Sequence, residues 1–395
     1  MIRVLRVVTR LNIGGPTHHV RLLSAGLPRA RFQTLVVAGH PSPEEGDLTS
    51  ELKRQAHVLV IPQLGRAMHP WCDAVAWWKL LVIAVRFQPD IVHTHMAKAG
   101  ALGRVAAWML NLLRRLRRRV RCRVIHTFHG HVLDGYFSFA VARGFIWCER
   151  WLARRSDRLI AINETVKRQL LEFRIGRAEQ MMTIPLGLSL EPFLSLNGRP
   201  AAAEEPWRIG MVGRLVPVKN HELFFQALRA FGAAAPDLDW SAVIVGDGPL
   251  RVPLERMVEA LGLGRRVQFC GWHNTLDSVY NGLHVICLTS RNEGTPVALI
   301  ESLAAGRPVI ATDVGGVGEL LGGCCPPEQP FMVAPRGMVV RPDDADALAQ
   351  ALAWAERHRA EHQHTADQGR AHVRTQFSAQ RLVCDMDAFY QRLME

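Results

Sequence analysis

Short runs of β-branched and other apolar residues alternate along this chain with longer stretches in which apolar positions recur every third or fourth residue. The first pattern predicts strands and the second helices. In the first half strands are predicted at 2–9, 33–38, 57–61, 90–94, 123–128 and 158–162, with helices over 17–28, 74–87, 98–113 and 140–154. The second half repeats the order, with strands at 207–212, 241–245, 267–270, 283–288, 308–312 and 337–340 and helices near 221–232, 251–261, 296–305 and 344–358. Alternation of this kind winds a parallel sheet with helices. Between the halves, Leu194, Asn197-Gly198-Arg199-Pro200 and the small or acidic residues up to Pro206 have the composition of a linker. The expected architecture is α/β: two Rossmann-like doubly wound domains, 1–190 and 207–377, facing across a cleft and joined by 191–206.

A length of 395 residues fits this reading, at roughly 150 residues per domain. With 48% apolar and 21% charged residues, disordered, collagen-like and disulfide-scaffold classes are excluded. The net charge of +12 changes the picture because it is unevenly placed. Residues 1–190 hold 29 Lys/Arg against 12 Asp/Glu, whereas residues 191–395 hold 19 against 24. A basic first half implies an anionic partner there, such as a phosphate-bearing substrate, anionic lipid or nucleic acid. The eight cysteines form no paired framework, which points to a reducing, cytoplasmic setting. The most apolar window, Ala74 to Phe87, is shorter than the ~20 residues of a membrane span and carries Lys79 and Arg86, so surface attachment is the membrane mode left open.

Three turns carry candidate chemistry. After the first strand, Asn12-Ile13-Gly14-Gly15-Pro16-Thr17 offers two glycines for close backbone approach and a proline suited to a helix start, where free N–H groups favour an anion. It meets neither the dinucleotide nor the P-loop fingerprint, and a plain strand-to-helix turn is the alternative. Gly213-Arg214-Leu215-Val216-Pro217-Val218-Lys219-Asn220 follows the first strand of the second half, with Asn220 as the expected helix cap. Arg214 and Lys219 together suit a diphosphate, or are two solvated cations. In Asn292-Glu293-Gly294-Thr295-Pro296, followed by Val297 to Glu301, Thr295 and Pro296 read as cap and first helical residue and Gly306 as the stop. Glu301 stands among Leu299, Ile300, Leu303 and Ala304 and needs a partner, either vicinal ribose hydroxyls or an arginine.

Gly213-Arg214 with Lys219-Asn220, Gly246-Asp247-Gly248-Pro249, and Glu293 with Glu301 before Ala305-Gly306-Arg307-Pro308 together resemble the retaining GT-B glycosyltransferases of family 4. The resemblance spans nearly the whole chain, from Gly14-Gly15 through Asp90-Ile91-Val92-His93-Thr94-His95 and Thr127-Phe128-His129-Gly130 to a final helix at 378–393. It implies that this helix crosses back onto the first domain. It also implies that Arg214 and Lys219 hold the donor diphosphate, that Glu301 binds the ribose, and that Glu293 with the backbone of Gly294 and Thr295 meets the transferred sugar. The Gly14 and Gly15 amides would approach the donor phosphate, and His129 would lie near sugar and acceptor. The nucleotide sugar is then a substrate and no cofactor is expected. The chain departs from the family pattern at Pro185-Leu186-Gly187-Leu188-Ser189, where Pro-Asn-Gly-x-Asp is usual, and at His284, where Asp is usual.

The histidines His18-His19, His93, His95, His126, His129 and His131 raise a metal hypothesis. Strand alternation puts His93 and His95 on one face, but a pair without a nearby carboxylate or cysteine does not make a zinc site, and no metal is expected. From Arg104 to Arg123, Trp108, Met109, Leu110, Leu112, Leu113 and Leu116 interleave with Arg114, Arg115, Arg117, Arg118, Arg119, Arg121 and Arg123. A cationic amphipathic segment suits an anionic bilayer surface; a solvated face or phosphate contacts to nucleic acid are the alternatives. The expected function is metal-independent, retaining transfer of a sugar from a nucleotide sugar, with UDP the expected nucleotide, to a lipid-linked or glycan acceptor. A GT-B nucleotide-sugar epimerase and a nucleic-acid-binding α/β protein are the rivals.

Overall fold

The computed structural model describes every residue except 13, 42–45, 66, 131–138, 197–205 and 274. His131 and most of the expected linker therefore lie outside the described residues. The chain divides into two compact units, residues 1–188 with 379–395, and residues 189–378.

The first unit holds strands β1 (Ile2–Arg10), β2 (Phe32–Gly39), β3 (His57–Val60), β4 (Ile91–His95), β5 (Arg123–Phe128), β6 (Arg158–Ala161) and β7 (Met181–Thr183). They form one parallel sheet in the order β3-β2-β1-β4-β5-β6-β7. Its helices are α1 (Gly15–Gly26), α2 (Thr49–Gln55), α3 (Pro70–Phe87), α4 (Ala97–Leu116), α5 (Phe139–Ala153) and α6 (Glu164–Glu172). Buried Leu5, Val7, Val92 and Val124 pack under α3 and α4, while Val4, Ile91, Ile125 and Ile160 pack on the other face. That second face is closed from the far end of the chain by α15 (Ala379–Met394), whose Leu382, Met386, Phe389 and Tyr390 are buried there. Strands buried on both faces explain the nearly unbroken apolar runs in the sequence.

The second unit contains β8 (Trp207–Val212), β9 (Trp240–Val245), β10 (Val267–Gly271), β11 (Val285–Leu288), β12 (Val309–Thr312), β13 (Phe331–Ala334) and β14 (Gly337–Val340). Their order is β10-β9-β8-β11-β12-β14-β13, and only β13 runs antiparallel among the described pairs. Helices α7 (Glu191–Leu194), α8 (His221–Ala234), α9 (Arg251–Ala260), α10 (Leu276–Asn281), α11 (Val297–Ala304), α12 (Val317–Leu321), α13 (Ala345–Arg357) and α14 (Arg359–Gln376) surround it. The α7 segment, expected as linker, places Phe193 against Tyr280 with ring centroids 5.6 Å apart and so belongs to this unit. Helix α14 was not predicted, because its buried face is His362, Thr365, Ala366, Gly369 and Val373, too polar and too small to show a hydrophobic period. A Cβ at Gly369 would lie 2.5 Å from Leu303 Cδ2, so the glycine lets α14 pack closely on α11.

Candidate active site

In each sheet the strand order reverses at the middle, between β1 and β4 and between β8 and β11, and open α/β sheets bind ligands beyond the strand ends at such points. The loops after β8 and β11 are stitched together. Arg291 N donates to Val218 O at 2.8 Å, and Thr289 Oγ1 donates to the carbonyls of Lys219 and Asn220 at 3.1 and 3.0 Å. This brings Lys219 Nζ to 2.5 Å from Glu293 Oε1, which also accepts from Ser290 Oγ at 2.6 Å. The side chain of Arg214, on the same turn, makes no hydrogen bond or ion pair with a described residue and stays part-exposed. Two glycines hold the turn in place. Gly246 has φ +130°, and a Cβ there would stand 2.0 Å from Gly213 O, while Leu215 N donates to Asp247 O at 2.9 Å. Gly315, φ +54°, lies against the Glu293 carbonyl with equally little room.

Glu301 sits on α11 and finds a phenol rather than an arginine. Tyr280 Oη donates to Glu301 Oε2 at 3.2 Å. Burial pushes the Glu301 carboxyl up to about 7, against a smaller downward pull from that hydrogen bond, and the burial of Tyr280 beside it raises the phenol well above its usual range. An environment that resists charge on the carboxylate suits a partner that donates hydrogen bonds to it.

The first unit carries, at its own strand ends, the start of α1 and a cluster of imidazoles. Gly14 is the N-cap of α1, Gly15 its first residue, and the Gly14 carbonyl accepts from Thr17 N and His18 N at 3.1 and 3.2 Å. His95 ends β4, His129 follows β5, and His95 Nδ1 lies 3.1 Å from His129 Nε2. His19 on α1 completes a triangle with ring centroids 5.6 Å from His95 and 5.0 Å from His129. His93 lies on the same face as His95, as strand alternation requires, and bonds Tyr390 Oη at 2.6 Å and Thr127 Oγ1 at 2.7 Å. Burial holds His129 down to about 4, so its ring is neutral near pH 7.

Several expectations need correction. Asn220 is the N-cap of α8, but it adopts a left-handed conformation, φ 50°, and its side chain makes no cap bond; its Nδ2 donates to Asp343 Oδ1 at 2.9 Å instead. Pro296, not Thr295, is the N-cap of α11, because the helix begins at Val297. Gly306, φ +69°, ends that helix as expected. In the arginine segment, Arg104 is buried against Glu149 at 2.7 Å and Arg114 is buried and bonded to Val120 O and Gln88 Oε1, so neither faces outward. His284, the unusual strand residue, accepts from Arg208 N at 3.0 Å and joins β11 to β8. Tyr280 and Gly315 were missed because they lie 21 and 22 residues from Glu301 and Glu293, and Ser290, three residues before Glu293, because a lone serine carries no pattern of its own.

Two family profiles match the chain in succession: "Glycosyltransferase Family 4" over residues 13–192 and "Glycosyl transferases group 1" over residues 196–372. The chain belongs to the family 4, group 1 glycosyltransferases. Among curated relatives of this glycosyltransferase, the Escherichia coli UDP-Gal:alpha-D-GlcNAc-diphosphoundecaprenol alpha-1,3-galactosyltransferase is 28% identical over 73% of this chain and 74% of its own. Among solved structures, Anabaena Alr3699/HepE in complex with UDP superposes with a TM-score of 0.75 at 18% identity, covering 99% of this chain and 100% of its own. The sucrose-phosphate synthase of Thermosynechococcus elongatus superposes with a TM-score of 0.77 at 22% identity, covering 100% and 99%. These likenesses make the fold of the glycosyltransferase GT-B: two Rossmann-like domains with a C-terminal helix packed on the first.

Proposed function

We propose that this glycosyltransferase moves a sugar from a UDP-sugar to a lipid-linked or glycan acceptor, with retention of configuration and without a metal on the diphosphate. The observation that carries this reading is the joined pair of loops after β8 and β11, which holds Arg214, its side chain without a partner among the described residues, on the same turn as the Lys219–Glu293 pair, with Glu301 on the helix that follows. Arg214 and Lys219 hold the donor diphosphate, and their charges offset the charge gathering on it as the glycosidic bond breaks. Lys219 exchanges one carboxylate oxygen for phosphate, leaving Glu293, with the backbone of Gly294 and Thr295, for the transferred sugar. Glu301 accepts from the ribose hydroxyls. On the first domain the amides of Gly14 and Gly15, at a helix N-terminus, favour an anion, and neutral His129 serves sugar and acceptor. The E. coli relative, named for a UDP-galactose donor and a diphosphoundecaprenol-linked acceptor, supports both substrate classes.

An anionic membrane surface is the proposed setting. Leu112, Leu116 and Val120 are exposed beside Arg115, Arg117, Arg118 and Arg119 at the end of α4. An open groove of about 1070 Å³ there also draws on Arg154, Arg155, Arg158 and Arg177. No described helix is long and apolar enough to cross a membrane.

The test is acceptor-dependent release of nucleoside diphosphate from a panel of nucleotide sugars, first ranked by thermal shift. UDP release that requires a diphosphate-lipid-linked acceptor, persists in excess chelator, collapses in Lys219→Ala and yields the retained anomer is expected. Epimerisation without acceptor, an inverted product, or chelator inactivation reversed by a divalent ion would each overturn a stated part of the reading.

A further inference from the structure

We propose that His19, His95 and His129 form a binding site for one zinc-class divalent metal ion on the N-terminal domain, at the C-terminal edge of its sheet. The three residues come from three separate elements, the first turns of α1, the end of β4 and the residue after β5. One ring nitrogen of each lies within 4.8 Å of the other two. Zinc binds imidazole nitrogen at about 2.0–2.1 Å in tetrahedral geometry, which sets ligand nitrogens about 3.3 Å apart. His95 Nδ1 and His129 Nε2, at 3.1 Å, already have that spacing. His19 needs a movement of about 1.5 Å, within reach of a ring rotation.

A second observation points to a ligand independently of the spacing. His19 is fully buried, and neither of its ring nitrogens has a hydrogen-bond partner among the described residues. An unsatisfied buried polar atom costs about 1–3 kcal/mol, so an imidazole with neither nitrogen partnered needs either strain or an occupant to account for it. His93 and His126 are not part of the set, because their hydrogen bonds to Tyr390, Thr127 and Thr94 commit them elsewhere.

The chemistry of the three donors selects the ion. Burial keeps all three rings neutral, each with a lone pair to give. Coordination through His95 Nδ1 needs only the tautomer with hydrogen on Nε2. Imidazole suits zinc, copper and nickel and not magnesium. Arg6, buried nearby and bonded to Tyr390 Oη at 3.1 Å, adds a fixed positive charge. It limits affinity, disfavours weakly covalent ions further and favours an anion in the fourth position. If His129 serves the transferred sugar, occupancy removes it, and zinc inhibits the enzyme. This consequence rests on the proposed function; the binding itself does not.

The experiment uses full-length protein without a polyhistidine tag, stripped with chelator and titrated with Zn(II), Co(II) and Mg(II). One zinc per chain is expected, with the intense visible absorption of low-coordinate Co(II) and no effect of Mg(II). Each of His19→Ala, His95→Ala and His129→Ala should weaken zinc binding by more than the roughly 10–100-fold that loss of an outer partner costs. Zinc X-ray absorption on the unmodified protein should show three imidazole nitrogens, which keeps the test open if a variant fails to fold. Absence of retained zinc, a ligand set other than three imidazoles, or unchanged affinity in the folded variants would overturn the site. Zinc that binds at these three residues without inhibiting transfer would leave the site standing and overturn the role of His129.

Discussion

In the proposed ribose-binding role, Glu301 must be charged enough to accept two hydroxyl hydrogen bonds although it is buried. With its carboxyl near 7, the ionised form that a ribose requires grows as pH rises through neutrality. Donor affinity should therefore climb between pH 6 and 8 and level off above, and the slope should vanish in Glu301→Gln, as read by calorimetric titration with the nucleoside diphosphate. At pH 8 the substitution should cost on the order of 1.5–3 kcal/mol of binding. Stability runs the other way. The folded carboxyl holds its proton to higher pH than the unfolded one, so its contribution is full below about 4.5 and is lost as pH rises through 7. Removing the titration should stabilise the free enzyme at pH 8 by about 3 kcal/mol at most. A pH-independent donor affinity in the wild type would refute the ribose assignment.

Between elements, the donor loops depend on glycines that let backbones touch. Gly246→Ala adds a methyl 2.0 Å from Gly213 O at a φ of +130°, so the turn carrying Arg214 must move. A loss of about 1–3 kcal/mol in stability, together with weakened donor binding, is expected from denaturant melts and calorimetry. Gly262, φ +72° with nothing within 4 Å, is the control. Its alanine variant should lose about 1–2 kcal/mol of stability from backbone strain and keep its donor affinity. The proposed membrane contact is tested at the end of α4. With Arg104 and Arg114 engaged internally, Arg115, Arg117, Arg118 and Arg119 carry the outward charge. Changing these four to Gln should abolish sedimentation with anionic vesicles, and salt should weaken it in the wild type. Equal binding to neutral vesicles would point to the apolar side chains alone.

Across the whole molecule, the last helix completes the first unit. Leu382, Met386, Phe389 and Tyr390 of α15 are buried in its core, and burial of four such side chains contributes roughly 6–12 kcal/mol. That equals the entire stability of a typical domain, about 5–15 kcal/mol. A chain ending at residue 378 should therefore lack a cooperatively folded N-terminal unit while residues 189–378 still unfold as one transition by calorimetry. Tyr390→Phe is the milder probe. It removes the partner of Arg6 Nη1 and His93 Nδ1 and should cost on the order of 1–3 kcal/mol without affecting donor binding.

Local chemistry determined much of this protein. The β-branched runs that became β1 and β8, the Gly213–Asn220 turn, and Glu293 with Glu301 are all readable because each depends on a few consecutive residues or a fixed helical period. The arginine segment was legible as charge, but burial alone decided which arginines face out, since Arg104 meets Glu149 only when α4 and α5 pack. The edge strand β7, at three residues, is too short to signal itself, β13 is hemmed between Pro330 and Pro335, and the polar buried face of α14 hides its period. Tyr280 reaches Glu301 from 21 residues away, and His19 meets His95 and His129 from positions 76 and 110 residues distant. Such meetings are fixed by strand order and sheet register, which bring the ends of β4 and β5 beside α1. No local rule encodes them, and the tertiary structure decided them.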